Sequence, residues 1–266
     1  MNAGFTIRPL ADYQEMKRAV DFQRVIWGSS FNEIVPAVVF WATARTGGIV
    51  AGAFDGHGAM LGLIFGITGW DGVQPLHWSD MLGVHPDARG RGIGLALKQY
   101  QRAQLLEAGV TRVQWTFDPL EARNAHINFA RLGATAREYI RDCYGASTSP
   151  LHRGIGTDRL VAEWKLDSDH VRRRMEGGDG ATPVGDAPLV NPEGEPLRLD
   201  LDALHVWLRI PPDIQALKER DAVAARRWRE HTRAALEAYL SRGYEVRDLV
   251  RGRDESRYLL SDVKAQ

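Results

Sequence analysis

One stretch of the chain reads Val84-His85-Pro86-Asp87-Ala88-Arg89-Gly90-Arg91-Gly92-Ile93-Gly94. Its three glycines let a backbone turn tightly and approach a ligand with no Cβ in the way. Its two arginines add positive charge. The stretch also marks a change of periodicity. Residues 76–84 are rich in apolar and aromatic side chains, as in a strand, whereas Ile93, Leu97, Tyr100, Ala103 and Leu106 recur at helical spacing. A helix start carries unpaired N–H groups and a partial positive charge, which favour an anion. The chemistry is therefore that of an anion cradle suited to a pyrophosphate. A P-loop would end in Gly-Lys-Ser/Thr, but Leu95-Ala96 follow Gly94. A dinucleotide fingerprint needs G-x-G-x-x-G, which glycines at 90, 92 and 94 do not supply. The plain alternative is a Gly-rich strand-to-helix turn with exposed arginines.

Proton-transfer candidates lie on either side of this loop. Asp80 sits on the preceding strand between His77 and His85, and strand alternation gives it a face shared with Trp78 and Leu82. Asp118 closes the next strand at Asp118-Pro119, which is also ordinary turn chemistry. Each carboxylate has a second reading as a partner for an arginine or a backbone N–H. Tyr139 and Tyr144 fall in a loop-like stretch, residues 139–145, and offer phenolic protons. Arg153 or Arg159 presents a guanidinium fork that could hold a substrate carboxylate. An ion pair between Asp158 and an arginine, fixing the loop, is the competing reading. Trp27, Trp70, Trp78 and Trp115 are candidate walls for a substrate cavity.

The elements that must position these groups can be read in outline. A short strand at residues 5–8 precedes Asp12-x-x-Glu15, which opens a helix as a capping box with Tyr13, Met16, Val20 and Trp27 on its buried face. A second, more apolar helix spans residues 36–43. Strands at 48–54 and 59–68 are joined by the Asp55-Gly56-His57-Gly58 turn. Gly109 ends the helix after the loop, and a strand at 113–117 follows. A short helix at 124–132 stops at Gly133, and residues 160–166 alternate like a strand. Residues 167–195 hold Gly and Pro but no aromatic residue and read as a linker, with a short helix behind Ser168. Beyond it come a strand at 204–210, one long helix from Pro211-Pro212-Asp213 with Ile214, Leu217, Ala224, Trp228, Ala235 and Tyr239 as its apolar stripe, and a hairpin through Gly252. These divisions give domains at 1–166 and 196–266, the second packing on or extending the first.

Composition restricts the options. Lys plus Arg equals Asp plus Glu at 34 each, so no global charge points to nucleic acid. No apolar run reaches membrane length, and the start of the chain lacks a signal-peptide core. One cysteine, Cys143, forbids an intrachain disulfide and cannot make a Cys-based metal site alone. A cytoplasmic location is the default expectation.

The order Val84-x-Pro86-x-x-Arg89-x-x-Gly92-x-Gly94 resembles the pyrophosphate loop of the GNAT family of acyl-CoA-dependent N-acyltransferases, an Arg/Gln-x-x-Gly-x-Gly/Ala sequence behind Val-x-Pro. The strand and helix order over residues 1–166 is similar to that family's core. The resemblance implies an α/β (α+β) fold: a mixed, mostly antiparallel sheet flanked by helices, with a smaller C-terminal strand–helix–hairpin segment. It implies acetyl-CoA or another acyl-CoA as co-substrate, no metal, and a small-molecule amine as acceptor. It places the cofactor against Leu82, Gly83, Val84, Arg89, Gly90, Arg91, Gly92, Ile93 and Gly94. A backbone N–H at residues 82–84 would serve the oxyanion, and Asn124, Asn128 and Phe129 would lie along the pantetheine arm. Asp80 becomes the proton acceptor, with Asp118 as second candidate. Many members place a Tyr acid four residues before the glycine that ends the 124–132 helix; that position is Phe129, which cannot donate a proton. Tyr139 or Tyr144 would then serve, or the thiolate leaves unassisted, or the protein binds acyl-CoA without turnover. The layout also looks like a bacterial subgroup with relatives in N-succinyl-amino-acid metabolism. That likeness implies a succinyl donor, an amino-acid acceptor, and Arg123 or Arg153 for the distal carboxylate. A protein lysine as acceptor and a second copy of the chain as partner stay open. In the lysine reading, an arginine face on the long helix (Arg220, Arg226, Arg227, Arg229, Arg233) docks the partner; otherwise that face is simply solvated.

Overall fold

The computed structural model describes residues 4–29, 33–145, 154–177, 186–193 and 196–264. It shows a mixed α/β fold whose strands pair mostly antiparallel, with flanking helices. Packing divides it into two compact units, Met1–Trp115 and Thr116–Gln266. The division falls inside a strand, whereas the boundaries read from composition lie at 166 and 195.

In the first unit, β1 (Thr6–Pro9), β2 (Ile49–Phe54), β3 (Met60–Trp70) and β4 (Pro75–Val84) pair antiparallel in that order. Helices α1 (Tyr13–Trp27) and α2 (Ala37–Arg45) join β1 to β2. The start of α1 is fixed by Asp12, whose side chain accepts from the Glu15 N–H at 2.8 Å. Glu15 reaches back to the Ala11 N–H and forks with Arg8, so its carboxyl is held down at about 2. The apolar face of α1 keeps most of the expected residues, with Val20 and Trp27 packed partly buried against the core beside Met16. Met16, Ala19 and Phe22 are buried with Glu15 and Gln23, and Tyr13 is exposed. Gln23 earns its buried place by bonding both the N–H and the C=O of Val35.

The sheet has a core on each face. Met16, Phe22, Phe40, Leu63, Phe65 and Met81 pack on the α1/α2 side. Ala51, Ala53, Ile64, Ile93 and Leu97 pack on the other side, beneath α3 (Ile93–Glu107). Small residues let α3 sit close. A Cβ on Gly62 would come within 2.9 Å of Ile93 and 3.0 Å of Leu97. From α3 the chain turns through Gly109 into β5 (Arg112–Phe117), which runs parallel to β4.

In the second unit, α4 (Ala122–His126) continues into a π turn at Ile127–Arg131 before Gly133. The strand order is β7 (Arg159–Lys165), β6 (Thr135–Ile140), β9 (Tyr244–Arg251), β10 (Ser256–Asp262), β8 (His205–Ile210). Strand β6 takes in Tyr139, which the sequence reading leaves in a loop. Ala136 of β6 pairs with Val246 of β9, so residues of the C-terminal segment extend the β6–β7 sheet. The described part of the expected linker is packed. Ser168 caps α5 (Asp169–Met175), Leu189 bridges to Trp207, and Val190 is fully buried. The single long helix expected after Pro212 is two, α6 (Ile214–Arg220) and α7 (Ala222–Ser241), because the Asp221 carboxylate caps a new start at Val223 and Ala224. The buried stripe of α7 is Ala225, Arg229, Thr232, Ala235, Leu236 and Tyr239. Among the described residues no helix is long and apolar enough to cross a membrane.

Candidate active site

The loop between β4 and α3 has the form its glycines require. Pro86–Ala88 make one 3-10 turn, and the Asp87 N–H donates to His85 Nδ1 at 3.3 Å. Gly90 and Gly92 have φ of +82° and +79°, and Gly92 is the N-cap of α3. No side chain caps that helix start, so its first N–H groups face outward without an intrahelical acceptor. A Cβ at Gly90 or Gly92 would meet nothing within 4 Å, and one at Gly94 would only touch Val84 at 3.8 Å and Leu82 at 4.0 Å. The space over the loop is open. Arg89 and Arg91 are exposed beside it, and Ile93 is buried as an anchor in the α3-side core.

Strand β4 contains a bulge that breaks the expected alternation. Its pairing with β3 shifts by one residue between Met81↔Phe65 and Trp78↔Ile67, so Ser79 and Asp80 share Gly66 as their opposite number. His77 and Ser79 point to α3, Met81 joins the α1/α2-side core, and Leu82 and Val84 return to the α3 side. Asp80 and Leu82 therefore do not share a simple alternating face. Gly66 is required here, because a Cβ on it would lie 2.2 Å from His77 Nε2. Gly83 lets α1 approach, since its Cβ would lie 3.0 Å from Ile26 and 3.5 Å from Trp27. Trp27 thus packs over β4.

Asp80 keeps exposed surface, yet the protein around it withdraws enough solvent to raise its pKa, and the Trp78 indole N–H opposes that rise. A carboxylate with a raised pKa beside an open edge is a competent proton acceptor at neutral pH.

Parallel pairing of β4 with β5 joins His77 to Val113 and Trp78 to Gln114. Ser79 and Trp115 are the next residues on the two strands. A buried polar group occupies this point, and it includes residues that helix periodicity alone had passed over. Lys98 Nζ donates to Ser79 Oγ at 2.8 Å and Gln101 Oε1 at 3.1 Å, and lies 3.9 Å from the centre of the Trp115 ring. The Gln101 amide donates to His77 Nε2 at 3.0 Å, which leaves the His77 proton on Nδ1, facing Thr68 Oγ1 at 2.9 Å. Thr68 in turn donates to Gly47 O. Burial lowers Lys98 to about 7 and, with the Lys98 charge, His77 to about 3. Of the expected α3 stripe, Ile93 and Leu97 are buried and Tyr100 packs partly buried beside them, whereas Ala103 is exposed and Lys98, Gln101 and Leu105 are buried as well. Gln101 lies four residues from each of the buried Leu97 and Leu105, the one sequence signal that it would be inside. Trp115, expected to wall a substrate cavity, is buried beneath Lys98.

In the second unit, Asp118 is buried and committed. Its Oδ2 accepts from Arg229 at 2.6 Å, its Oδ1 accepts from the Leu120 N–H at 2.8 Å, and Arg159 stands 3.9 Å away. Arg229, read from sequence as part of an exposed or docking face, is only 3% exposed and also donates to Ile155 O. Arg233, from the same face, forks onto Asp158 at 2.7 Å with both arms, and Tyr139 donates to the same carboxylate. Tyr139 is thus held in an ion-pair cluster, its pKa driven far up by burial and Asp158. Tyr144 is nearly half exposed, its hydroxyl 2.6 Å from Thr116 Oγ1 and its ring under Arg159. Phe129 is fully buried between Phe117 and Tyr258, with edge-to-face contacts at 5.7 and 5.8 Å. Asn128 is buried on the π turn, and its Nδ2 has no acceptor among the described residues. Asn124 and Arg123 are exposed on α4, and Arg153 lies outside the described residues. A cavity of about 520 Å³ in this unit, lined by Asn191, Arg209, Trp228 and His231 among others, takes in Arg227 of the expected docking face but none of the candidate catalytic or cofactor residues. No cluster of three or more His, Cys, Asp or Glu able to hold a metal occurs among the described residues.

Residues 16–134 match the model of the acetyltransferase (GNAT) family. Among solved structures, the chain is similar to the ribosomal-protein-S18-alanine N-acetyltransferase from Escherichia coli, at 14% identity and a TM-score of 0.49, covering 62% of this chain and 95% of that one. It is also similar to a GNAT-family acetyltransferase from Streptococcus pneumoniae, at 17% identity and a TM-score of 0.49, covering 60% and 98%. A phosphinothricin acetyltransferase from Sinorhizobium meliloti, solved with AcCoA, gives 17% identity and a TM-score of 0.48, covering 60% and 87%. Comparison with curated proteins gives no match.

Proposed function

We propose, from the premise that residues 16–134 form a GNAT-family acetyltransferase domain, that this protein transfers an acyl group from acyl-CoA to a small-molecule amine. The observation that carries the reading is the uncapped start of α3 behind Gly90 and Gly92, with open space where their side chains would stand. Acyl-CoA suits that cradle: its pyrophosphate would take the outward N–H groups of residues 92–94, with Arg89 and Arg91 adding charge. When bound, it supplies an activated thioester.

Three tasks then remain. Asp80 accepts a proton from the acceptor ammonium, because only a neutral amine attacks the thioester carbonyl. A backbone N–H at residues 82–84 stabilises the oxyanion. The third, a proton for the departing thiolate, is left to solvent in this reading. Asp118 is a structural anchor in this reading, because Arg229 and a backbone N–H already occupy its oxygens.

Phe129 favours a second reading, acyl-CoA binding without turnover, since its packing leaves no proton donor at that helical position. Calorimetry with CoA and thiol release from acetyl-CoA and succinyl-CoA over a panel of amines separate the two. Amine-dependent thiol release supports transfer. Tight CoA binding with no amine raising release above the water rate establishes binding alone, and no CoA binding ends both readings.

A further inference from the structure

We propose that Lys98 is a positioning residue for the acyl donor, tying the phosphate-binding helix α3 to the point where β4 and β5 stop pairing. The inference rests on the acyl-CoA reading above and adds a residue and a pH dependence to it.

A lysine is an expensive choice for this position. Lys98 is only 3% exposed, on the face of α3 that packs against the sheet. Methionine or leucine would fill similar volume without removing a charge from water. What lysine adds is simultaneous contact with three elements. Its Nζ bonds Ser79, the first bulge residue after the last β4–β5 pair, and faces the ring of Trp115, the first β5 residue after that pair. It also bonds Gln101 one turn along its own helix. Gln101 carries the chain of hydrogen bonds on through His77 to Thr68 on β3. A displacement of α3 would therefore break its hydrogen bonds to Ser79 and His77 on β4 and its contact with the Trp115 ring on β5, so the helix start that would hold the pyrophosphate is fixed relative to the strand that would hold the thioester.

The charge on Lys98 is itself adjustable. Burial holds its pKa at about 7, so the ammonium is present below neutrality and lost above it. His77 on β4 feels this charge and stays neutral through this range. Ser79, Gln101, Trp115 and Thr68 do not titrate there. Loss of the proton removes the attraction to the Trp115 ring and weakens the donor bonds to Ser79 and Gln101. It also removes a positive charge one turn behind the anion cradle. The donor should bind more tightly to the protonated form.

The test is isothermal titration calorimetry of acetyl-CoA on the full chain at pH 6.0 and 8.5, with melting temperatures alongside, for wild type, Lys98→Met and Ser79→Ala. The 3′-phosphate of CoA also titrates, so the comparison is between proteins. The expected result is a wild-type Kd about tenfold higher at pH 8.5 than at pH 6.0. Lys98→Met should bind about tenfold more weakly at pH 6.0 with little further change at 8.5, while melting cooperatively. Ser79→Ala, which removes one acceptor without adding volume, should fall between them. It decides the matter if Lys98→Met fails to fold. A folded Lys98→Met protein with wild-type affinity and pH slope overturns the role of Lys98 while leaving the acyl-CoA reading intact. Wild-type affinity and slope in Ser79→Ala does the same. A wild-type chain that binds no acetyl-CoA at either pH overturns both.

Discussion

At the scale of single residues, glycines that bend the loop differ from the one that opens it. Gly90 and Gly92 hold positive φ, so any side chain there strains the backbone as well as filling space. Gly94 has no such constraint, and a side chain there meets only ordinary contacts with Leu82 and Val84. Gly94→Val therefore isolates the cradle. The CoA Kd should rise at least about tenfold, read by calorimetry, with the melting temperature nearly held. Asp80 offers a second test. If it accepts the proton, Asp80→Asn should depress kcat/KM most at low pH, where an unassisted amine is mostly protonated; an unchanged pH–rate profile would remove it from that role. The loop was legible because glycine and arginine spacing encodes backbone shape and charge directly. Lys98 and Arg229 were not. A long basic side chain looks exposed in sequence, and its acceptors, Ser79 and Asp118, come from residues 19 and 111 positions away.

At the scale of elements, hydrophobic periodicity located nearly every strand and helix of the first unit but misjudged faces wherever a polar side chain was buried with a partner. The face of α1 turned toward Glu15 and Gln23, and that of α3 toward Lys98 and Gln101. Strand β6 was missed because it pairs with residues far along the chain, and the split between α6 and α7 because one aspartate caps a new start. The β3–β4 joint makes a prediction of its own. His77 is held at about 3 in the folded protein, against an ordinary value of 6.5. Between those values the unfolded chain takes up a proton that the folded chain refuses. Stability should therefore decline as pH falls from 6.5 toward 3, by an amount on the order of a few kcal/mol. Urea unfolding across that range checks it, and His77→Gln should flatten the slope.

At the scale of the whole molecule, each unit has its own anchoring logic. The first is held by apolar cores on both faces of a sheet, joined by the polar chain from Lys98 to Thr68. The second has ion pairs on buried carboxylates: Arg229 with Asp118, Arg233 with Asp158, and Arg174 with Asp248 at 2.6 Å, the first and last buried on both sides. Removing one member of such a pair strands the other charge. Arg229→Met should cost about 3–5 kcal/mol in denaturant unfolding, and adding Asp118→Asn should recover part of that loss. Composition could not foretell this. The chain's charges balance at 34 of each sign, and the total does not say which pairs meet inside.

The bulge at Ser79 and Asp80 gives β4 something like a reading frame. A strand repeats every two residues, so the extra one reverses the assignment of inside and outside for all that follows. Deleting Asp80 would leave Ser79 alone opposite Gly66 and keep Met81 and Leu82 on their present faces, so the phase of the strand would survive while the carboxylate is lost. A deletion between Met81 and Val84 has no such slack and would shift the residues that reach the loop. Related chains one residue shorter between His77 and Val84 should therefore keep both cores and lack only the residue that stands outside the ladder.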